Sequence, residues 1–222
     1  MNEPGTVAIE LEGERLRLLP ERALSWERAR TLLVADAHFG KAASFRALGV
    51  AVPGGTTGGT LARLDAALER TAAQRLIVLG DLLHAREGRT EATFHALAEW
   101  KAGRPALEWL LVRGNHDRRA GDPPAELAIG CRDEPVVEPP FVFAHAPKPH
   151  SDGYVIAGHL HPAADLAGRG RAHERLPCFW VRRDMMVLPA LGDFTGVAPI
   201  SPAPDDAVYA VADREVIRIL RP

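Results

Sequence analysis

Short apolar runs recur along this chain, and they constrain its fold more than any other feature. They occupy residues 32–35, 76–79, 107–112, 141–143, 154–157 and 185–188. Runs of this length are typical of strands that are buried on both faces, as in α/β proteins. Two further segments, at 6–18 and 207–220, alternate apolar and polar residues around a short turn, which predicts a β-hairpin near each end of the sequence.

Helical periodicity separates the strands in the first half of the sequence. Residues 60–73 and 90–102 each place their apolar side chains on one stripe, which predicts two amphipathic helices. Thr56 or Thr57 is the expected N-cap of the first helix and Thr90 that of the second, because a hydroxyl can accept from a free amide of the first turn.

The rest of the sequence predicts a mixed architecture. Residues 41–48 predict a short helix closed by Gly49. Seven prolines between 121 and 149 predict that this stretch is mostly loop, because proline is excluded from helix interiors and central strands. Strands dominate the second half, and no boundary is evident, so we expect one α/β (mixed α+β) domain spanning 1–222.

The overall composition excludes several classes of protein. The 222 residues carry 27 basic and 29 acidic side chains, and the net charge of -2 argues against a strongly basic nucleic-acid coat. The first residues lack the basic and apolar regions of a secretory signal, and no apolar run approaches the ~18 residues needed to span a bilayer. We therefore expect a cytoplasmic protein without a membrane partner.

Polar side chains with metal-ligating chemistry follow five of the apolar runs. They are, with the glycines among them, Asp36 and His38; Gly80 and Asp81; Gly114, Asn115, His116 and Asp117; His145; and Gly158, His159 and His161. Ligand groups gather beyond the carboxyl ends of the strands in an open α/β sheet, so we expect these side chains to meet at one rim. They outnumber the ligands that one metal ion needs.

The spacing and chemistry of these residues predict a site for two metal ions. Alternation along an extended segment would place Asp36 and His38 on the same side, and likewise His159 and His161. Carboxylate and imidazole ligands without sulfur suit Mn, Fe, Co or Zn, and the sequence has no C-x-x-C pair for a thiolate site. A carboxylate can bridge two ions about 3.5–4 Å apart, and such a pair clamps both oxygens of a phosphoryl displacement.

In this order, the motifs Asp-x-His, Gly-Asp, Gly-Asn-His-Asp, His and Gly-His-x-His resemble those of the calcineurin-like metallophosphoesterase family. Segments at 38–46, 53–57 and 176–180 are similar to a bacterial branch, the ligase-associated DNA-damage-response endonucleases. The resemblance implies a four-layer αββα sandwich, with two mixed β-sheets flanked by helices. It also implies a metal-dependent phosphodiesterase that acts as an endonuclease on DNA and cooperates with a DNA ligase and a helicase.

The resemblance further implies a role for each residue of the site. It implies two divalent transition-metal ions, Mn first, with Fe, Zn or Co as alternatives. One ion would be held by Asp36, His38, Asp81 and His161. The other would be held by Asp81, Asn115, His145 and His159, with Asp81 bridging. A hydroxide shared by the two ions would attack phosphorus, and His116 would protonate the leaving oxygen or stabilise its developing charge.

One position departs from the family pattern. Many members carry an acidic residue three positions after the bridging aspartate, where it orients the catalytic histidine, and this sequence has His84 there. Three alternatives follow. Asp117 could orient His116, a backbone carbonyl could do so, or His84 itself could contact the substrate phosphate.

Basic and aromatic residues near the motifs are the candidate substrate contacts. Lys41 and Arg46 follow the first ligand pair and Arg118 lies beside the catalytic histidine; solvated helix charges are the alternative interpretation. Arginines within 169–183 form either a basic lip or a scattered surface set, and the aromatic pair at 179–180 either stacks on bases or belongs to the core.

Two other functions fit parts of the pattern. The same chemistry could act on a small nucleotide or phosphorylated metabolite, as a phosphoesterase or pyrophosphatase, although the sequence lacks a large inserted cap to enclose a small ligand. The fold could also serve as a non-enzymatic scaffold. All predicted ligands and His116 are present, however, which favours an enzyme.

Overall fold

Two mixed β-sheets face each other in the computed structural model, which describes residues 3–52, 55–167 and 173–219. The strands of the first sheet are β1 (Val7–Leu11), β2 (Glu14–Leu19), β3 (Ala23–Trp26), β4 (Thr31–Val34), β5 (Arg75–Leu79), β6 (Glu108–Arg113) and β7 (Gly130–Asp133). They lie side by side in chain order. Neighbours are antiparallel from β1 to β4 and parallel from β4 to β7.

The second sheet is built around a short parallel centre. Its strands are β8 (Val136–Glu138), β9 (Phe141–Phe143), β10 (Tyr154–Ala157), β11 (Pro162–Ala167), β12 (His173–Val181), β13 (Met185–Val187), β14 (Ala198–Pro199), β15 (Ala207–Ala212) and β16 (Glu215–Ile219). The order is β14-β11-β12-β13-β10-β9-β8, and β15 joins β12 and β16. Strand β10 runs parallel to both β9 and β13.

The helices follow strands of the first sheet. They are α1 (Lys41–Ala47), α2 (Thr56–Thr71), α3 (Glu91–Ala102) and α4 (Asn115–Ala120), with single 3₁₀ turns at Arg86–Gly88 and Ala125–Leu127. In the part of the chain that the structure describes, no helix combines the length and apolar character needed to cross a membrane.

The central strands are buried on both faces, as their continuous apolar runs predict. In β4, Leu32 and Val34 pack with residues of α2 and α3, whereas Leu33 and the following Ala35 pack with the second sheet. Fully burying one such leucine stabilises the fold by about 1.5–3 kcal/mol. The carboxyl ends of the central strands, where the candidate ligands lie, are therefore fixed from both sides. The predicted two-sheet mixed α/β sandwich is confirmed.

The predicted helices and terminal hairpins are present, with one corrected cap. Helix α2 begins at Thr56, and its N-cap is Gly55 in a left-handed conformation, with no side-chain cap. The prediction of Thr56 or Thr57 as cap is wrong because both residues already lie inside the first turn. At α3, Thr90 is the cap as predicted, and its hydroxyl accepts from the Thr93 amide at 3.2 Å.

The prediction that 121–149 is mostly loop is confirmed, and the strands within it are short. This stretch contains β7, β8 and β9. The prolines lie outside the strands, with Pro135 immediately before β8 and Pro139 and Pro140 between β8 and β9, where no ladder hydrogen bond is needed from them. Proline therefore limits the length of these strands without excluding them.

Candidate metal centre

The predicted ligands meet at one end of the sandwich, beyond the carboxyl ends of β4, β5, β6, β9 and β10. Backbone hydrogen bonds join the strand ends there. The Asp36 amide donates to the Gly80 carbonyl at 3.1 Å, and the His38 amide donates to the Asp81 carbonyl at 2.8 Å. The His159 amide donates to Asp36 Oδ2 at 2.8 Å, which links the two sheets directly at the centre.

Five of the predicted ligands have a left-handed backbone. Their φ angles are 55° at Asp36, 49° at His38, 53° at Asp81, 73° at His159 and 48° at His161. Positive φ is uncommon in residues other than glycine, and such strain concentrates at functional sites. The expectation that strand alternation aligns each Asp-x-His or His-x-His pair is therefore wrong in its mechanism, because left-handed turns aim these side chains.

One cluster contains Asp36, His38 and His161. The Nδ1–H of His161 donates to the Gly196 carbonyl at 2.9 Å, which leaves a lone pair on Nε2. That Nε2 lies 3.3 Å from His38 Nε2 and 3.5 Å from Asp36 Oδ1. Asp36 Oδ1 is buried and finds no hydrogen-bond donor among the described residues. The lone pair of neutral His161 and the Asp36 carboxylate oxygen, both acceptors, therefore face each other here.

Electrostatics favour the neutral, metal-binding form of His38. Burial, together with the neighbouring His161, His116 and His84 rings, lowers the pKa of His38 to about 2. For His161, burial lowers the pKa but the Asp36 carboxylate and the Gly196 carbonyl outweigh it, so that the pKa is raised. A neutral imidazole is the form that binds a metal ion.

A second cluster contains Asp81, His145 and His159, with Asn115 beside it. The Nδ1–H of His145 donates to the Leu79 carbonyl at 3.0 Å, so its Nε2 also carries a lone pair. His145 Nε2 lies 2.9 Å from the Asn115 amide oxygen and 3.0 Å from His159 Nδ1. Burial lowers the pKa of His159 as well.

Asp81 lies between the two clusters. Its Oδ1 is 3.4 Å from His145 Nε2, and its Oδ2 is 3.8 Å from His38 Nε2. Burial, with a smaller contribution from the Asp36 carboxylate, raises the pKa of Asp81 to about 6 against the opposing effect of His145. A carboxylate with one oxygen toward each cluster is suited to bridge two cations.

The residues present fit two divalent metal ions. Lone pairs of imidazole, carboxylate and amide groups converge in both clusters, and such groups repel one another unless a cation lies between them. Nitrogen and oxygen donors without sulfur suit divalent transition metals. A histidine that binds a metal through one ring nitrogen often donates the N–H of its other ring nitrogen to a carbonyl, which fixes the tautomer.

Two glycines are required by close approach to these ligands. A Cβ at Gly80, where φ is 79°, would lie 2.2 Å from His145 Nδ1, and a Cβ at Gly114 would lie 2.3 Å from Asp81 Oδ1. Atoms cannot approach this closely, so any side chain at these positions displaces a predicted ligand.

His116 is oriented by the backbone. Its Nδ1–H donates to the His84 carbonyl at 2.6 Å, and its Nε2 lies 3.9 Å from Asp81 Oδ2. The His84 ring stacks on the His116 ring at 4.9 Å and 21° and lies 3.3 Å, Nδ1 to Nδ1, from His38. Burial and the nearby Lys41 lower the pKa of His84 to about 4. Of the sequence alternatives for orienting His116, the carbonyl is thus the group in contact with Nδ1.

Asp117 contacts backbone amides. Its Oδ2 accepts from the amides of Asp81 at 2.7 Å and Gly114 at 2.9 Å, and its Oδ1 accepts from the Leu83 amide at 3.1 Å. The side chain is buried, and burial raises its pKa despite these three bonds. Asp117 thus braces the loops that carry Asp81 and Asn115.

The three predicted substrate contacts differ in position. Lys41 is half-buried near His38, with its ammonium 6.0 Å from the Phe45 ring and 5.8 Å from the Phe194 ring, and burial lowers its pKa. Arg46 is exposed further along α1.

Arg118 is directed toward acidic residues of the β7–β8 region. It lies 3.9 Å from Asp133 and 3.6 Å from Glu134.

The two aromatic residues at 179–180 differ in burial. Phe179 is fully buried between the sheets, so it is not available to stack on bases. Trp180 is partly buried, and its indole N–H donates to Asp206 at 2.8 Å. Arg175 pairs with Asp165 at 2.6 Å. Arg169 and Arg171 of the expected basic lip lie outside the described residues.

Sequence patterns missed Gly196, whose carbonyl orients His161. It lies 35 residues further along the chain, within a segment that resembles an ordinary proline-containing loop. A backbone acceptor leaves no signature of residue type, so no pattern could have identified it.

A family model and the structure of a nuclease agree with this geometry. A family model described as calcineurin-like phosphoesterase matches residues 29–152. The structure is similar to the crystal structure of Pseudomonas putida nuclease MPE, with 44% identity and a TM-score of 0.85 over 96% of this chain and 100% of that one. Yfce, a phosphoesterase from E. coli, shares 14% identity with a TM-score of 0.43 over 85% of this chain and 97% of its own. No curated protein matches the chain.

The matched residues make up more than half of the chain and contain four of the five ordered motifs. The resemblance that those motifs indicate is therefore confirmed. The chain belongs to the calcineurin-like phosphoesterase family and is a metal-dependent phosphoesterase.

Proposed function

We propose that this phosphoesterase is an endonuclease that hydrolyses phosphodiester bonds in DNA with two divalent transition-metal ions bound, Mn first. The proposal of a nucleic-acid substrate rests on the similarity, over nearly the whole chain, to the Pseudomonas putida nuclease. The convergence of two ligand clusters on Asp81 supports the use of two ions.

Each cluster would hold one ion. We assign the first ion to Asp36, His38, Asp81 and His161. We assign the second ion to Asp81, Asn115, His145 and His159. Asp81 belongs to both sets because each of its oxygens faces one cluster.

The two metal ions, when bound, supply Lewis acidity toward the phosphate and activate the attacking water. His116 acts on the leaving group. Its Nδ1–H is held by the His84 carbonyl, and its Nε2 faces the centre from a side chain that is 31% exposed, so substrate can reach it. In the protonated ring, Nε2–H donates to the leaving oxygen and then transfers its proton there.

The biological setting that the sequence resemblance favours is the DNA damage response, together with a DNA ligase and a helicase. This assignment is independent of the chemistry above. Its test is whether loss of the protein sensitises cells to DNA damage and whether a metal-ligand variant such as Asp81→Ala fails to restore resistance.

A panel of metals and substrates tests the proposed activity. Purified protein is loaded with Mn, Fe, Zn or Co, and hydrolysis of bis-p-nitrophenyl phosphate and of single- and double-stranded DNA is measured. We expect both substrate types to be cleaved, fastest with Mn, by protein holding two ions per chain. Hydrolysis of bis-p-nitrophenyl phosphate with every DNA substrate left intact would refute the proposed nuclease activity. A kcat/KM above about 10⁴ M⁻¹ s⁻¹ on one small metabolite would identify the alternative substrate class.

A further inference from the structure

A cleft lies beside His116. It has a volume of about 480 Å³ and is lined by His84, Ala85, Arg86, Glu87, His116 and Arg119. This volume is within the range of known ligand sites. Because His116, which we assign to the leaving group, lines this cleft, the cleft is the candidate space for the part of a substrate that follows the leaving oxygen.

Two arginines give the cleft an excess of positive charge. Arg119 lies three residues after His116 in α4, on the same face of the helix. Arg86 is held against α4, since its Nε–H donates to the Arg119 carbonyl at 3.0 Å. Glu87 is the acidic residue of the lining, so the two guanidinium groups outnumber it.

The charges of these two arginines are not neutralised within the described residues. No carboxylate lies within ion-pair distance of Arg86 or Arg119 in that part of the chain. The neighbouring Arg118 differs, because Asp133 and Glu134 lie near its guanidinium. Arg86 uses only Nε, which leaves its two terminal nitrogens to bind an anion.

We propose that Arg86 and Arg119 bind the phosphate that follows the scissile phosphate on the leaving side of a DNA strand. The proposal rests on the proposed nuclease function and names a subsite for it. A guanidinium matches the geometry of phosphate and can donate two parallel hydrogen bonds to it. A small diester has no second phosphate, so this contact would favour a polynucleotide over a small phosphorylated metabolite.

The test compares substrates with and without the neighbouring charge. The variants are Arg86→Gln, Arg119→Gln and the double variant, with Arg218→Gln on the edge strand β16 as a control that removes the same charge elsewhere. The substrates are bis-p-nitrophenyl phosphate, single-stranded DNA, and thymidine trinucleotides in which one linkage is a neutral methylphosphonate. Two trinucleotide isomers place the neutral linkage on either side of the cleavable one.

We expect the double variant to lose about 10- to 100-fold in kcat/KM on DNA, mainly through KM, with bis-p-nitrophenyl phosphate hydrolysis unchanged. The plot of log kcat/KM against log salt concentration should become shallower, with the magnitude of its negative slope reduced by about 0.7 for the lost phosphate contact. The wild type should cleave the isomer with the neutral linkage on the leaving side more slowly than the other isomer. The double variant should cleave the two isomers at similar rates. Metal content and Tm should match those of the control.

The outcomes separate this subsite from the proposed function. Wild-type protein that cleaves no DNA overturns the nuclease and the subsite together. Wild-type cleavage that the double variant matches overturns the subsite alone. An equal loss on DNA and on bis-p-nitrophenyl phosphate also overturns it, because the arginines would then act on the reaction centre itself.

Discussion

Replacement of Asp117 with asparagine tests whether this carboxylate supports the metal centre or acts on His116. In the structure its two oxygens accept hydrogen bonds from three backbone amides, including that of Asp81. Asparagine has the same shape but only one acceptor oxygen. The oxygen would stay with the Asp81 and Gly114 amides, and the NH₂ group would then face the Leu83 amide, donor to donor.

The cost follows from that one contact. A buried donor left unsatisfied costs about 1–3 kcal/mol, and removal of a buried charge offsets part of this, since burial already raises the pKa of Asp117. We therefore expect Asp117→Asn to lower the free energy of unfolding by about 2 kcal/mol. For a chain of this size, that corresponds to a decrease in Tm of about 4–8 °C. Asp117→Ala leaves all three amide donors without an acceptor. It should lower the free energy of unfolding by about 3–9 kcal/mol, which is comparable to the whole stability of many domains.

Thermal unfolding and metal content measure this effect. The Asp81 loop loses its brace in Asp117→Asn, so we expect weaker metal binding and lower activity that excess metal restores in part. Asp122→Asn is the matched control, because Asp122 is exposed and pairs with Arg113 at 2.7 Å, an arrangement worth about 1 kcal/mol or less. Unchanged Tm and full metal content with a large loss of turnover would refute the bracing role and assign Asp117 to His116.

Two further pairs of variants probe the centre. His116→Ala should retain both metals and lose most turnover, whereas Asp81→Ala should lose metal as well; equal metal loss, measured by elemental analysis, would show that the role of His116 is misassigned. Gly80→Ala should lose metal because its Cβ would lie 2.2 Å from His145 Nδ1. Gly49 has a similar left-handed φ of 78° but open space around it, so Gly49→Ala should cost only about 1–2 kcal/mol and keep both ions. Comparable metal loss in the two alanine variants would contradict the role of the close contact.

The positions of the candidate ligands were predictable because strand ends are visible in sequence. An apolar run followed by Asp-x-His shows where β4 stops and which side chains lie at the rim, and both are observed. The backbone conformation was not predictable, because Asp36 and His38 are expected in extended structure and instead have positive φ. In that conformation the amides of Asp36 and His38 donate hydrogen bonds to Gly80 and Asp81, which are distant in sequence.

Charged residues near the motifs were harder to assign than the ligands. Arg118 and Arg119 are adjacent and chemically identical, and only the helical geometry of α4 separates them. One lies near Asp133 and Glu134, and the other lines the cleft beside His116. Sequence proximity to a motif therefore cannot choose between two consecutive arginines, because a helix rotates them by about 100°.

The backbone partners of the histidines also determine the charge that the centre presents to substrate. His116, His145 and His161 each donate a ring N–H to a neutral carbonyl and not to a carboxylate. Two divalent ions would then face Asp36 and Asp81 as the ligand carboxylates, with four positive charges against two negative ones. A chain with a net charge of -2 can thus attract a phosphodiester at this point, since the local excess of positive charge acts where the substrate binds.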